Sequence, residues 1–404
     1  MTAPDRFAPD GRYAWSRLAV SLLFGTIGGA GMWAVVVVLP LVQAEFDVGR
    51  SEASFPYTMT MLGFAAGNLL VGRMVDRFGF MLPALVSSLA MGLGFASAAY
   101  APSIFWLAVA QGLIGLGSAA TFGPLIADVS HWFYKRRGVA VAVAACGNYF
   151  AGAIWPVAMQ VPLAATDWRT TYLGIGLICV VTMVPLSLLL ARRPDHVAAG
   201  VSSARPVADL GLSPRVLQTF LVLAGLGCCV AMSMPQVHIV AYCMDLGYGP
   251  ARGAEMLSLM LATGIISRLV SGVLADRIGG IRTLIIGSVL QGMSLLFYIP
   301  FDGLASLYVV SAMFGLSQGG IVPSYAVIVR EYMPAREAGQ RVGFVIMATI
   351  LGMALGGWMS GAIYDWTGSY AAAFLNGIAW NLLNVSVMSF LLWRAGGFGK
   401  ARAA

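Results

Sequence analysis

The sequence predicts an all-α membrane protein with twelve transmembrane helices in two pseudo-symmetric six-helix lobes. Two observations carry that prediction. The first is composition: 59% of the 404 residues are hydrophobic and only 10% are charged. An ordinary soluble domain has about 25% charged residues, so most of this surface must face lipid. The second is a long-period repeat. Gly72-Arg73-Met74-Val75-Asp76-Arg77-Phe78-Gly79 returns 200 residues later as Gly272-Val273-Leu274-Ala275-Asp276-Arg277-Ile278-Gly279. Each copy closes a long apolar run. The register extends further: Gly115-Leu116 is answered by Gly315-Leu316, Arg136 by Arg336 and Gly152 by Gly352, and Asp167-Trp168 recurs two residues out of step as Asp365-Trp366. Solenoid repeats have periods of about 20–50 residues, so a repeat this long means a duplicated half-protein.

The elements follow from the apolar stretches, each of roughly 20–25 residues, enough to cross about 30 Å of hydrocarbon. In the first half they lie at 18–42, 53–72, 79–100, 104–127, 138–160 and 169–191. Gly25, Gly28, Gly29 and Gly31 crowd the first, and Gly112, Gly115 and Gly117 the fourth, spacings that let helices approach closely. The stretch 192–215 holds Pro, Ser, Ala and charges with no apolar stripe, and reads as a cytoplasmic linker. The second half repeats the pattern at 216–243, 252–272, 281–300, 304–329, 340–364 and 370–393, with Gly352, Gly356 and Gly357 in the eleventh stretch. The expected organisation is a cytoplasmic tail 1–17, a six-helix lobe 18–191, the linker, a second lobe 216–393 and a cytoplasmic tail 394–404. Unbroken runs of this length exclude alternating barrel strands. Short loops make successive helices antiparallel neighbours and leave no room for a soluble catalytic or sensory domain.

Charge sets the orientation. Of 24 Lys and Arg residues, Arg50, Arg169 and Arg252 fall outside and Arg268 within a membrane helix, while every other one falls on the side of the termini. Both termini are therefore expected in the cytoplasm of a bacterial inner membrane protein. The net charge of +7 is a topological signal, and no basic soluble module for nucleic acid is present. Residues 1–17 are polar and basic and do not read as a cleavable signal peptide. Cys146, Cys179, Cys228, Cys229 and Cys243 lie in or beside apolar segments without metal-site spacing, and read as small buried hydrophobes. No phosphate-cradling loop, metal-ligand cluster or Ser/His/Asp set occurs. The chain is thus expected to be no enzyme, to need no cofactor and to draw on a gradient rather than ATP. A duplicated apolar half-protein of this kind reads as a transporter.

The Gly-x-x-x-Asp-Arg-x-Gly loop between helices 2 and 3, repeated between helices 8 and 9, resembles that of the major facilitator superfamily over essentially the whole chain. The resemblance implies a two-lobed, twelve-helix carrier that exposes one central cavity alternately to each side. It also implies that Asp76, Arg77, Asp276 and Arg277 belong to cytoplasmic charge clusters that latch the lobes. A narrower likeness, to the monocarboxylate porters and their bacterial relatives, rests on Pro235-Gln236-Val237-His238, Asp245-Leu246-Gly247-Tyr248 and Ile266-Ser267-Arg268-Leu269, and more loosely on Trp132-Phe133 and Arg136-Arg137-Gly138. In that branch the helix 8 arginine binds the substrate carboxylate. Two positions depart from the pattern. Gly264 stands where animal members keep an acid one turn before the arginine, and Thr121 stands roughly where bacterial lactate carriers have a tyrosine. Proton coupling and substrate size stay open.

Arg268 is the most informative residue. A guanidinium within a membrane helix costs about 2.5–3.5 kcal/mol on insertion scales, and side chains tilt toward the helix N-terminus, which carries this head back toward the midplane. A snorkelling arginine reaching headgroups is the alternative, with Gly272 one turn away. Of 17 Asp and Glu residues none falls in the central part of an apolar stretch, and Asp128 and Asp365, the nearest, sit toward helix ends. The expectation is a cationic site that takes an organic anion, since a carboxylate fits the guanidinium fork. His238 is either a proton carrier on the substrate path or a hydrogen-bonded interfacial histidine. Thr121, Asn148, Tyr149, Gln236, Gln318 and Tyr325 are candidates to line the cavity, each equally suited to interhelical hydrogen bonding. Trp33, Trp155 and Trp358 are candidate walls. The expected function is secondary transport of small organic anions, chiefly monocarboxylates, by proton symport or anion exchange, in a monomer. Efflux of drug-like compounds and a sensor with little transport are the alternatives.

Overall fold

A computed structural model describes residues 9–193, 210–334 and 337–396. Arg336, His196, most of the expected linker and the extreme termini lie outside the described residues. The chain divides into two compact units, Met1–Gly200 and Val201–Ala404. The first holds α1 (Arg12–Phe46, interrupted at Gly29), α2 (Arg50–Phe78), α3 (Met81–Ala99), α4 (Ile104–His131, interrupted by a tight turn at Ala119–Thr121), α5 (Arg137–Ala165) and α6 (Trp168–Leu189). The second holds α7 (Pro214–Asp245), α8 (Pro250–Ile278), α9 (Gly280–Phe297), α10 (Leu304–Tyr332, interrupted after Gln318), α11 (Ala338–Thr367) and α12 (Tyr370–Arg394).

Eleven of these helices are long and apolar enough to cross a membrane. The one outside that set is α2. It has the length, 29 residues, but Ser54, Pro56, Thr58, Thr60 and Asn68 dilute its apolar run. The first helix begins at Arg12 rather than at the edge of the apolar stretch near residue 18, because Arg17 finds a buried partner described below.

The repeat is visible in the backbone of each unit. Helices α2 and α8 are both 29 residues long and begin and end 200 residues apart. The motif ends each in the same way. Gly79 takes φ +75° and ψ 176°, and its N–H donates to the Val75 carbonyl at 2.8 Å; Gly279 takes φ +85° and ψ 164°, donating to Ala275 at 2.9 Å. That region of backbone space is open essentially only to glycine. Arg77 and Arg277 occupy the last turns, where a cation complements the helix dipole.

The repeated Gly115 and Gly315 also have one physical reason. A methyl at Gly115 would lie 2.0 Å from the Thr60 carbonyl oxygen, and one at Gly315 would lie 2.1 Å from that of Met260. Each glycine lets a fourth helix of its unit rest on the backbone of the second. In the first unit α1 lies against α5 through Gly25 and Gly29 facing Gly147 and Ala151, a small-xxx-small contact on both sides.

One sequence correspondence does not survive. Asp167 is the N-cap of α6, accepting from Thr170 N–H at 2.6 Å, whereas Asp365 and Trp366 lie in the last turns of α11. The structural counterpart of Asp167 is Ser369, which caps α12 through the Ala371 N–H at 3.1 Å.

Side chains such as Leu93, Val161, Leu177 and Leu382 are 62, 76, 64 and 58% exposed. Apolar exposure spread along whole helices fits lipid rather than water. Within lipid, cohesion between helices comes from close packing and hydrogen bonds rather than from the hydrophobic effect. One such chain crosses three helices of the first unit: Thr60 donates to Gln111 Oε1 at 3.1 Å, and Gln111 Nε2 donates to the Tyr172 hydroxyl at 2.9 Å.

Candidate functional site

In the first unit, two of the three expected cavity residues border one turn of α1. Thr121 ends the tight turn that interrupts α4, and its methyl stands 2.4 Å from where a side chain at Gly28 would begin. Its hydroxyl is engaged locally, donating to the Ser118 carbonyl at 2.6 Å. Asn148 receives the Trp33 indole N–H on both its backbone oxygen, at 3.2 Å, and its side-chain oxygen, at 3.3 Å. Trp155 likewise donates to the Thr26 carbonyl at 3.0 Å. Two of the expected aromatic walls are thus fixed to α1 and α5 by their polar edges. Tyr149 is buried on α5.

In the second unit Arg268 lies on α8, half-buried. The interruption of α10 sits against it. A methyl at Gly319 would lie 2.7 Å from the Arg268 backbone nitrogen and 2.3 Å from the Gly264 carbonyl oxygen. Gly319 thereby lets α10 rest on the α8 backbone at Gly264 and Arg268. Immediately before that interruption Gln318, fully buried, accepts from Gln236 Nε2 on α7. The Gln236 carbonyl oxygen and the Gln318 amide nitrogen have no hydrogen-bond partner. The structure thus brings Gln236, Gln318 and the backbone of Arg268 into one neighbourhood of α7, α8 and α10.

Tyr325 belongs to another cluster. Its hydroxyl accepts from Asn384 Nδ2 at 2.7 Å and donates to Cys228 Sγ at 3.5 Å, while Asn384 also donates to the Ala224 carbonyl at 2.8 Å. Gln291 of α9 donates to the Cys228 carbonyl at 3.0 Å. All are buried, and the set ties α7, α9, α10 and α12 together.

His238 is fully buried. Its Nε2 lies 2.8 Å from the Gly357 carbonyl. A carbonyl can only accept, so Nε2 carries a hydrogen. Its Nδ1 lies 3.2 Å from the Tyr370 hydroxyl, which donates to it in the neutral ring. Tyr242 and Tyr364 pack on Tyr370 with ring centroids at 5.4 and 4.5 Å. His238 therefore ties α7 to α11 and α12. Trp358, next in sequence to Gly357, is 42% exposed. Asp76, Arg77, Asp276 and Arg277 are all exposed at the ends of α2 and α8.

Sequence reasoning missed the most polar buried group of the first unit. Arg17 donates from Nε to Asp128 Oδ2 and from Nη2 to Oδ1, both at 3.0 Å, and from Nη2 to the Leu190 carbonyl at 3.1 Å. Its guanidinium also lies 4.9 Å from the Trp132 ring centre. The signal was present: Asp128 was the acid nearest a helix interior, and Arg17 sits one turn from Arg12 and Tyr13 on a helix that could continue inward. Asp10 was missed as well. Its carboxylate accepts from the backbone N–H groups of Tyr134 and Lys135 at 3.0 Å and of Arg136 at 3.1 Å. Partial burial pushes its pKa up, but those three donors and the Lys135 charge outweigh it and hold the carboxyl below its usual range.

The comparisons agree with this architecture. The Major Facilitator Superfamily model matches residues 22–304 and 255–401. The chain is 27% identical over 382 residues to monocarboxylate transporter 13 of Rattus norvegicus, covering 91% of this chain and 86% of that one. It is also 27% identical over 396 residues to monocarboxylate transporter 11 of Homo sapiens, covering 93% and 82%. Among solved structures, a bacterial homologue of the human lysosomal transporter Spinster, inward-facing and unoccupied, superposes with a TM-score of 0.73 at 12% identity over 97% of this chain and 99% of that one. The fold is that of a carrier and not of an enzyme. This chain belongs to the major facilitator superfamily.

Proposed function

We propose that this protein is a secondary carrier of small organic anions, most readily monocarboxylates, and that Arg268 receives the carboxylate. The observation that carries the reading is the placement of Arg268. It is a half-buried arginine on a membrane helix, with its backbone packed where α10 is interrupted, one residue after the buried Gln318 that bonds Gln236. The relatives named monocarboxylate transporters support the same substrate class. The pseudo-symmetric position in the first unit, Asn68, is a neutral amide whose Nδ2 donates to the Phe64 carbonyl at 2.8 Å. The positive charge is thus peculiar to the second half, as a site for one anionic group requires. A guanidinium takes a carboxylate through two parallel charge-assisted bonds.

In this reading the lobes 18–191 and 216–393 rock about the bound anion, and Asp76, Arg77, Asp276 and Arg277 latch them. Thr121, Asn148, Tyr149, Gln236, Gln318 and Tyr325 shape the walls or hold them in place. The protein works as a monomer in the bacterial inner membrane with both termini in the cytoplasm. If protons accompany the anion, His238 carries them through Nδ1 and Tyr370. Uptake of labelled carboxylates into proteoliposomes tests this, with and without an inward proton gradient. Gradient-stimulated uptake of one acid means symport; uptake only into vesicles preloaded with an anion means exchange and removes the proton role of His238. Near-normal uptake by both Arg268→Ala and Arg268→Lys would sink the binding role. Outward movement of lipophilic compounds with no carboxylate uptake would make the protein a drug-type exporter. Retention of the pH dependence in His238→Gln would end the proton-carrier assignment.

A further inference from the structure

We propose that the start of α1 and the turn between α4 and α5 form a docking surface for the phosphodiester headgroups of anionic phospholipids. The observation begins with Asp10. Both of its carboxylate oxygens are taken up by the backbone N–H groups of Tyr134, Lys135 and Arg136, and its own N–H donates to the Trp132 carbonyl at 3.1 Å. The turn is fixed by its main chain, and the side chains of Lys135, Arg136 and Arg137 all stand exposed, as does Arg12 at the start of α1. Among the described residues of this turn, the Asp10 carboxylate is spent on the backbone rather than on the cationic side chains.

The surroundings of the cations are those of a headgroup layer. Trp15 and Tyr134 are 36 and 49% exposed, and Val139, on the first turn of α5, is 57% exposed. Trp15 packs edge-on against Phe133 at 5.1 Å, and the Arg136 guanidinium lies 5.9 Å from the Trp15 ring centre. Amphipathic rings beside Lys and Arg, at the junction of three membrane-crossing helices, sit where acyl chains meet phosphates. A soluble polyanion would have no use for the exposed apolar rim.

The second unit lacks this arrangement among its described residues. There Arg341, at the start of α11, is paired with Glu337 at 2.6 Å, and Glu331 accepts from the Gly280 N–H at 3.2 Å. In sequence, Ala335 and Glu337 stand 200 residues on from Lys135 and Arg137, so the run of three cations is not repeated. The proposal rests on the membrane reading of the chain and not on its substrate.

The test uses the full-length protein in nanodiscs of phosphatidylcholine doped with spin-labelled phosphatidylglycerol or spin-labelled phosphatidylcholine, scored for the immobilised lipid fraction. Both leaflets of a nanodisc carry the probe, so an inverted topology does not affect the result. Wild type should retain phosphatidylglycerol selectively. Each cation near the surface contributes about fivefold, so Lys135→Gln/Arg136→Gln/Arg137→Gln should lose on the order of hundredfold in affinity at that site. The charge-preserving Lys135→Arg/Arg136→Lys/Arg137→Lys should retain it. About 1 M salt, which shortens the Debye length to about 3 Å, should abolish the preference in unaltered protein, a control independent of how any variant folds. Equal retention of the two lipids by wild type would overturn the proposal. So would displacement of the probe by soluble glycerophosphate at equal concentration, since that marks a free-anion site.

Discussion

The Arg17–Asp128 pair offers the sharpest test of how the first unit is held together. The two side chains are 1 and 7% exposed and approach to 2.8 Å. Removing Asp128 leaves a buried guanidinium whose remaining strong partner is the Leu190 carbonyl. Breaking a buried ion pair from one side costs about 3–5 kcal/mol, chiefly because the other charge is stranded. Asp128→Ala should therefore destabilise by that amount. Arg17→Ala should cost somewhat less, because a stranded carboxyl can take up a proton and a guanidinium cannot give one up.

The second half supplies the control. The positions 200 residues on from Arg17 and Asp128 are Leu217 and Ile328, 2 and 0% exposed. Well-packed apolar residues in place of a buried pair are neutral or stabilising by about 1–4 kcal/mol. The double variant Arg17→Leu/Asp128→Ile should thus unfold at or above the wild-type midpoint, with a coupling energy of about 3 kcal/mol or more between the sites. Unfolding of wild type, Arg17→Leu, Asp128→Ile and the double variant in mixed detergent micelles completes the cycle. A cost below about 1 kcal/mol for Asp128→Ala would refute the burial argument. A double variant as unstable as either single one would show that Leu190, Tyr13 and Trp132 depend on the charge, and that the pair cannot be exchanged for its apolar counterpart. A double variant that is stable yet transports poorly would assign the pair to the transport cycle.

Three further outcomes follow from particular contacts. Gly115→Ala and Gly315→Ala should each destabilise by about 1–3 kcal/mol or more, because the new methyl meets a backbone carbonyl at 2.0 or 2.1 Å; thermal unfolding within about 1 °C of wild type for both would contradict the close approach. Tyr325→Phe removes the acceptor of one Asn384 bond but leaves Asn384 on the Ala224 carbonyl, so a loss of about 1 kcal/mol is expected by the same unfolding assay, against several for Asn384→Leu, which frees both. For Asp10 the folded pKa is depressed, so its contribution is present above the unfolded value of about 3.9 and is lost as pH falls through the folded one. Hydrogen exchange at Tyr134, Lys135 and Arg136 should accelerate relative to neighbouring amides over that acidic window in wild type. Asp10→Asn should show no such step, and a step that persists in it would assign the titration elsewhere.

The fold was legible because lipid makes few demands beyond length and apolarity, and because duplication wrote each demand twice. Gly79 and Gly279 could be paired from sequence alone, and the structure supplies their reason in one backbone conformation. Gly115 and Gly315 were legible as a repeat but not as a contact, since nothing local says which carbonyl they face. The ion pair escaped because Arg17 and Asp128 are 111 positions apart and each looks, within its own segment, like a charge at a helix end. His238 and Tyr325 read as cavity candidates because a buried polar group within a membrane helix signals a partner without saying which. The partner of His238 proves to be a carbonyl on α11 and a hydroxyl on α12, and that of Tyr325 an amide on α12.

This sorts the polar residues of a duplicated chain. Where both halves keep the same residue, as at Gly79 and Gly279, the shared demand is architectural, because both copies must fold by the same rules. Where one half carries a charge and the other does not, folding alone gives no reason for it, since the apolar or neutral copy folds equally well. Arg17 and Asp128 against Leu217 and Ile328 are one such difference, and Arg268 against Asn68 is another. At the first, the charges are matched within their own unit and their cost is largely settled there. At the second, the cation sits on a membrane helix in only one half, and the proposed carboxylate role gives that asymmetry a use that can be tested. Exchanging the pair, Asn68→Arg with Arg268→Asn, separates the explanations. If the charge served only packing or membrane anchoring, the swapped protein should transport as wild type does. If it receives the carboxylate within the contacts of α7, α8 and α10, transport should be lost while the protein still inserts and unfolds cooperatively.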